Sequence, residues 1–243
     1  MIKLVKKIIQ NFFDNSGYKV VVKDKFFEKD FLEIYSKCKP YTMTSQERMY
    51  SLYKPVEHII KSNIPGDFVE CGVWRGGSAM LIAYTLKNLG ITNRKIYLYD
   101  TYEGMSSPTK EDRTPYKNDI ALEMKNSKKN DKKWLFSSLD AVKRNMLSTG
   151  YPSQNIIFVK GKIEETIPKT IPKKISLLRL DTDWYESTKH ELKNLYPLLV
   201  KKGIMIVDDY GHWTGSKKAV DEYFEKKPIL LNRIDYSGRI SIK

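Results

Sequence analysis

The amino-acid sequence predicts an α/β fold, in which a doubly wound, mostly parallel sheet carries helices on both faces and ends in an antiparallel edge hairpin. Short apolar segments alternate with segments of helical periodicity, which is the pattern of βαβ units. The apolar segments are nearly continuous rather than alternating, as expected for strands buried under helices on both sides. The last segment, residues 229–242, predicts a closing hairpin and therefore the antiparallel edge.

The strands and the helices between them are predicted from where these patterns start and stop. Apolar runs that end at polar or glycine residues predict strands over residues 67–72, 96–100, 155–160, 175–181 and 203–209. Helical periodicity predicts helices over residues 77–89, 138–149, 186–199 and 214–226. Ser137 or Ser138 is expected to cap the second of these helices. The polar segment 101–137 predicts a helix near residues 116–126.

Residues 1–62 are predicted to form a helical segment ahead of a core that spans residues 63–243. Helical patterns cover residues 29–37 and 45–62, and Thr44 or Ser45 is expected to cap the second helix. No internal repeat or low-complexity linker divides the sequence, so we expect residues 1–243 to form one domain.

The start of the chain, residues 1–15, predicts a basic amphipathic helix with Ile2, Val5, Ile9 and Phe12 on one face. Such a helix could pack on its own domain, pack on a second subunit, or contact an anionic membrane surface. Packing on the domain or on a second subunit is favoured over membrane contact. The apolar face is one reason to expect a homo-oligomer. The apolar run is too interrupted for the core of a signal peptide.

The net charge of this chain is +14, and a strongly positive net charge is common in nucleic-acid-binding proteins. Here the lysines are spread in pairs over predicted loops and helix faces, which is equally typical of solvated surface or of attraction to an anionic substrate. We therefore expect no nucleic-acid partner. The two cysteines are too few for a disulfide framework, and no long apolar run predicts a membrane span, so we expect a cytoplasmic protein.

Acidic residues end four of the five predicted strands. They are Glu70, Asp100, Asp181 and the pair Asp208 and Asp209. In doubly wound sheets, ligands bind beyond the carboxyl ends of the strands. Like charges gathered there repel one another unless something positive binds, so the pattern indicates a binding site.

The segment from Glu70 to Ser78 joins the first strand to its helix through a glycine-rich turn. Glycines allow a ligand close to the backbone, and the helix amino end offers free N–H groups to a carboxylate or phosphate. Asp100 ends the second strand, where a carboxylate can hold ribose hydroxyls. Together these features indicate an adenosine-containing cofactor, without separating S-adenosylmethionine from NAD.

Asp181, Asp183, Asp208 and Asp209 predict a metal site, because carboxylates from two strand ends make an oxygen-rich set that suits Mg²⁺ or Ca²⁺. No Cys/His cluster indicates zinc. The alternative is that these aspartates cap the following helices, which fits Asp183 and Asp209 but does not explain the adjacent pair. His212 follows that pair, and its position beside the predicted metal site is the only reason to consider it a site residue.

Five segments of the sequence resemble the macrocin O-methyltransferase family, which comprises class I, metal-dependent methyltransferases of sugar hydroxyls. The segments are YTMTSQERMYSLY (41–53), DFVECGVWRGGSAM (67–80), IYLYDTYEGM (96–105), LLRLDTDWYEST (177–188) and GIMIVDDYGHWTGSKKAVDEYF (203–224). The resemblance covers about residues 40–224, and the motifs occur in the same order.

The resemblance implies a Rossmann-like methyltransferase sheet, S-adenosylmethionine as cofactor and Mg²⁺ or another hard divalent cation as metal. The implied cofactor contacts are Met43, Ser45, Glu70, Gly72, Ser78, Asp100, Thr101, Tyr102, Gly161 and Lys162. The implied metal ligands are Asp181, Asp208 and Asp209. Asp183 matches the family's general base, and His212 is the second choice.

The acceptor is expected to be a sugar, and the polar, lysine-rich segment 106–137 favours a bacterial surface glycan or an activated sugar over a macrolide. Two other classes of protein stay open at this point. An NAD-dependent sugar oxidoreductase would explain the glycine turn and Asp100, and a basic nucleic-acid or membrane-surface binding protein would explain the lysines. Neither explains the acidic cluster of Asp181, Asp183, Asp208 and Asp209.

Overall fold

Residues 26–114 and 136–243, together with residues 9, 12, 13, 15 and 16, are described by the computed structural model. The α-helices are α1 (Lys29–Cys38), α2 (Gln46–Lys61), α3 (Gly77–Asn88), α4 (Leu139–Ser148), α5 (Ile163–Thr166), α6 (Tyr185–Leu195) and α7 (Thr214–Phe224). The strands are β1 (Asp67–Cys71), β2 (Ile96–Asp100), β3 (Ile156–Lys160), β4 (Ile175–Leu180), β5 (Leu199–Val207), β6 (Asn232–Arg233) and β7 (Arg239–Ile242).

Within the described ranges, seven strands form one sheet in the order β3-β2-β1-β4-β5-β7-β6. Strands β1 to β5 pair in parallel, and β7 pairs antiparallel with both β5 and β6. The predicted mostly parallel sheet with an antiparallel edge hairpin is therefore confirmed. The strand order reverses between β1 and β4, which is where such sheets form a ligand crevice.

Successive residues of a strand point to opposite sides of the sheet, so both faces of this sheet carry apolar side chains. Helices cover both faces. On one face, Phe68 of β1 packs in a cluster with side chains of α1 to α4, such as Met49 and Leu81. On the other face, Val69 packs in a cluster with side chains of α5 to α7, such as Leu192. Burial of this apolar surface is the main stabilising contribution to the layered fold.

Two helices begin directly after the serine residues that the sequence predicts as caps. Ser45 caps α2 by accepting a hydrogen bond from the backbone N–H of Arg48. Ser138 caps α4 in the same way through the N–H of Ala141. These bonds satisfy backbone donors that have no partner inside the helix.

The main differences from the prediction are two boundaries and one additional helix. Helix α6 ends at Leu195 and continues as a 3₁₀ turn, Tyr196–Leu198, because Pro197 lacks the N–H that an α-helix requires. Strand β5 begins at Leu199, before the exposed Lys201 and Lys202, whose polarity hides the start of the strand in the sequence. The short helix α5 was not predicted.

The helix predicted over residues 1–15 falls largely outside the described residues, and the helix predicted near residues 116–126 falls entirely outside them. Ile9, Phe12 and Phe13 are helical and exposed. The expected contact of residues 1–15 with a domain, a subunit or a membrane therefore stays a prediction. In the part of the chain that the structure describes, the helices lack the length and apolarity needed to cross a membrane.

Candidate active site

A cavity of about 310 Å³ opens at the carboxyl edge of the sheet. It is lined by most of the residues that the sequence analysis assigned to a site. These are Met43, Glu70, Gly72, Ser78, Asp100, Thr101, Gly161, Lys162, Asp181, Asp183, Asp208 and Asp209. The register of the strands explains the meeting of Asp181 and Asp208, because Leu180 at the end of β4 pairs with Val207 at the end of β5.

Three assigned residues lie behind this lining. Ser45 donates its hydroxyl to Asp235 at 2.8 Å, and the buried hydroxyl of Tyr102 donates to the Leu98 carbonyl at 3.2 Å. The ring of His212 packs edge-on against Trp213, with 4.6 Å between ring centroids. Burial and the nearby Arg48 lower the pKa of His212 below its usual value. These three side chains are therefore less well placed than the lining residues to contact a cofactor or to act as a base.

The turn after β1 is fixed by a close approach of two strands. Gly72 has φ of +83°, and a Cβ there would lie 1.8 Å from the carbonyl oxygen of Asp181, so only glycine fits. Asp100 holds the rest of the turn, because its Oδ2 accepts hydrogen bonds from the N–H of Val73 at 2.7 Å and of Trp74 at 3.0 Å. The carboxylate predicted to hold a ribose thus also shapes the glycine turn beside it.

Glu70 lines the cavity and has one buried carboxylate oxygen without a partner among the described residues. Its Oε1 accepts a hydrogen bond from Arg179 at 2.7 Å, whereas its buried Oε2 has no partner among the residues that the structure describes. Burial raises the pKa of Glu70 to about 8, although Arg179 opposes the shift. A buried acceptor without a partner is costly, so this end of the cavity fits a ligand with a positively charged donor, such as the ammonium group of an amino acid.

Asp181, Asp208 and Asp209 form a compact acidic group in the same cavity, and Arg179 links Asp181 to Glu70. Each offers one carboxylate oxygen, and these oxygens lie within 4.8 Å of one another. Burial, together with repulsion from Asp183, raises the pKa of Asp209 well above its usual range, and burial raises that of Asp181 to about 6. Such oxygens fit a hard divalent cation, whose charge would remove this penalty.

Part of the positive charge at this edge comes from the protein itself, which the sequence analysis missed. Arg179 is 2% exposed and donates to Glu70 at 2.7 Å and to both Asp181 and Asp208 at 2.6 Å. Arg48 pairs with Asp208 as well. The signal in the sequence is a charged arginine inside the mostly apolar strand ISLLRL, because a buried guanidinium requires carboxylate partners.

Asp183 lies beside this group in a strained backbone conformation, with φ of +66°. Its Oδ1 accepts a hydrogen bond from the indole Nε1 of Trp213, and its N–H donates to Asp209 at 3.2 Å. Burial, followed by repulsion from Asp181, raises the pKa of Asp183 to about 8. A carboxylate with a pKa near neutrality is suited to accept a proton in a reaction.

Neither Asp183 nor Asp209 acts as a helix cap. Trp184 is the N-cap residue of α6, and Trp213 is that of α7, both without a side-chain cap hydrogen bond. The N–H of Tyr185 at the start of α6 instead donates to Asp112 at 2.7 Å. The capping alternative for these aspartates is therefore wrong.

Comparison with known proteins identifies the family of this chain. The family model described as Macrocin-O-methyltransferase matches residues 3–240. A demethyldecarbamoylnovobiocin O-methyltransferase from Streptomyces niveus is 34% identical over 200 residues, which are 82% of this chain and 74% of that protein. An 8-demethyl-8-(2,3-dimethoxy-alpha-L-rhamnosyl)-tetracenomycin-C 4'-O-methyltransferase from Streptomyces olivaceus is 33% identical over 82% of this chain and 74% of its own length.

Solved structures of methyltransferases are also similar to this chain. The O-methyltransferase NovP is 33% identical, with a TM-score of 0.73 over 84% of this chain and 82% of its own. An O-methyltransferase from Bacillus cereus in complex with SAH has 9% identity and a TM-score of 0.51 over 97% of both chains, and it shares the fold alone. The sheet is therefore that of a class I methyltransferase, and the chain belongs to the macrocin O-methyltransferase family.

Proposed function

We propose that this protein transfers a methyl group from S-adenosylmethionine to a hydroxyl of a sugar, with a divalent metal held by Asp181, Asp208 and Asp209. The observation that carries the proposal is that one cavity joins an unpaired Glu70 carboxylate oxygen to a compact acidic group. Family membership favours methyl transfer over the oxidoreductase and the non-enzymatic binding protein.

The cofactor half of the cavity matches the chemical groups of S-adenosylmethionine. Glu70 Oε2 would accept a hydrogen bond from the amino group of the methionine portion, which removes the cost of its burial. The amino end of α3 after Gly72 would receive the carboxylate. Asp100 and Thr101 would bind the ribose, and Gly161, Lys162 and Met43 would contact the adenosine.

The acidic half supplies the proton acceptor. When bound, S-adenosylmethionine supplies an electrophilic methyl group, and a divalent cation lowers the pKa of a coordinated hydroxyl. Asp183 would take the proton from the sugar hydroxyl, because its side chain lines the same cavity and its pKa is raised toward neutrality. His212 is less suited, since its ring packs against Trp213 behind the lining.

The acceptor proposed here is a sugar unit, either on a surface glycan or in an activated precursor. The relative from Streptomyces olivaceus is named for a rhamnosyl-bearing substrate, which supports a 6-deoxy sugar as the first class of acceptor to test. The net charge of +14 supports an anionic acceptor, which an activated sugar phosphate would be.

The test is methyl transfer from radiolabelled S-adenosylmethionine to a panel of sugars, with Mg²⁺ and with a chelator. The panel contains methyl α-L-rhamnopyranoside, other methyl glycosides, nucleotide-activated sugars and demethyldecarbamoylnovobiocin. We expect labelled product from at least one sugar with Mg²⁺ and none with the chelator. Absence of labelled sugar throughout the panel would contradict the acceptor class, and equal transfer with the chelator would contradict the metal.

A further inference from the structure

The turn between β6 and β7, residues 234–238, is held against the start of α2. Asp235 organises the turn, because its Oδ1 accepts hydrogen bonds from the N–H of Ser237 at 2.9 Å and of Gly238 at 2.7 Å. Its Oδ2 accepts from the Ser45 hydroxyl at 2.8 Å and from Arg48 Nε at 2.9 Å. Since Arg48 also pairs with Asp208, the turn is connected directly to the acidic group.

The same turn is fixed to the loop after β5. The Ser237 hydroxyl donates to the Asp208 carbonyl at 2.6 Å, and the N–H of Gly211 donates to the Ser237 carbonyl at 2.9 Å. A Cβ at Gly211 would lie 1.9 Å from the Tyr236 carbonyl oxygen, so this approach requires glycine. The position of Tyr236 relative to Asp208 is therefore defined by the backbone on both sides.

Tyr236 is a large aromatic side chain that lines the cavity and yet is 57% exposed. Its ring packs edge-on against His212, with centroids 5.8 Å apart. In the sheet, β7 and β6 lie beyond β5, on the side away from β1, β2 and β3, whose ends carry the proposed cofactor contacts. An exposed ring contributes little to core packing. Because this ring is held on a rigid turn beside the acidic group, it is suited to contact a ligand.

We propose that the turn 234–238 forms one wall of the acceptor subsite and that Tyr236 stacks on the apolar C–H face of a pyranose ring. The inference rests on the proposed function, because it assigns the acceptor side of the same cavity. Aromatic rings bind such faces through apolar contact and through the negative charge of the ring face. Asp235 is the positioning residue that keeps the ring beside Asp208.

The test measures sugar binding independently of turnover. Saturation-transfer NMR with methyl α-L-rhamnopyranoside and a set of other methyl glycosides is recorded on wild type, Tyr236→Phe, Tyr236→Ala and the control Leu230→Ala, each with S-adenosylhomocysteine and Mg²⁺. Leu230 is 76% exposed in the same carboxy-terminal segment and does not line the cavity. Thermal denaturation and binding of S-adenosylhomocysteine verify that each variant is folded.

We expect Tyr236→Phe and Leu230→Ala to bind sugar like the wild type and Tyr236→Ala to bind about tenfold more weakly, the size of a strong aromatic contact. Wild-type affinity in Tyr236→Ala, or a wild type that binds none of the glycosides, overturns the inference. A protein that binds sugar through Tyr236 but transfers no methyl group would contradict the proposed function and leave the inference standing.

Discussion

Trp213 donates a hydrogen bond from its indole Nε1 to Oδ1 of Asp183. Trp213 is itself held by Trp184, whose ring packs edge-on against it with 5.1 Å between centroids. The indole of Trp184 donates in turn to the Ser106 carbonyl at 2.9 Å. The carboxylate proposed as the base is thus oriented by a buried aromatic pair, and not by a flexible polar side chain.

Replacing Trp213 with Phe removes this hydrogen bond and keeps most of the packing. We expect kcat for methyl transfer to fall by roughly tenfold to a hundredfold, because small displacements of a catalytic group cost about that much. The affinity for S-adenosylmethionine and the melting temperature should change little. Trp184→Phe keeps the bond from Trp213 to Asp183 and loses only the bond to Ser106, so it should lower kcat less. Wild-type kcat in Trp213→Phe would show that the indole does not position Asp183.

Arg179 is expected to be essential for stability. Its replacement by Met leaves the buried Glu70 without its cation and Asp208 with Arg48 alone, so the free energy of unfolding should fall by roughly 3–5 kcal/mol. Urea denaturation followed by circular dichroism measures the change. The control is Arg144→Met, an exposed arginine on α4. Equal stability of the two variants would mean that the buried ion pairs contribute nothing net.

Asp209 should be needed for metal binding and not for stability. Because burial raises the pKa of Asp209, replacing it with Asn should leave the metal-free protein at least as stable as the wild type. Mg²⁺ at a hundred times its dissociation constant should stabilise the wild type by about 2.7 kcal/mol and Asp209→Asn by far less. Thermal denaturation with Mg²⁺ and with a chelator measures both effects, with the exposed Asp30→Asn as control. An equal gain in Asp209→Asn would argue against this ligand.

Glu191 makes stability depend on pH. Its side chain is fully buried on α6, its Oε1 accepts from Thr182 at 2.9 Å, and its Oε2 has no partner among the described residues. Burial raises the pKa of Glu191 well above 4.5, so the folded protein binds a proton that the unfolded chain has lost. This stabilisation is complete below the unfolded pKa and is lost as pH rises toward the folded one.

Relative to Glu191→Gln, the wild type should therefore lose stability as the pH rises over the range from about pH 5 upward. Urea denaturation across this range measures the difference in slope. The exposed Glu186→Gln on the same helix controls for the change in charge. Parallel slopes for wild type and Glu191→Gln would mean that Glu191 is ionised in the folded protein.

The sheet and the acidic edge are predictable from sequence, because apolar runs and the residues that end them are local signals. The adjacency of β4 and β5 follows from the same pattern, and it brings Asp181 and Asp208 together. The ion pairs are not local. Arg48 and Asp235 are 187 residues apart, and the partners of Arg179 depend on the register of three strands. Those contacts, and with them the role of the last hairpin, emerge only from the fold.

The most direct test of the central claim is calorimetric titration of the purified protein with S-adenosylmethionine and then with NAD, each with Mg²⁺ and with a chelator. We expect binding of S-adenosylmethionine in the micromolar range and no binding of NAD. Failure to bind S-adenosylmethionine under either condition, or tight binding of NAD in its place, would contradict the proposed methyl transfer and would require another ligand for Glu70 and Asp100.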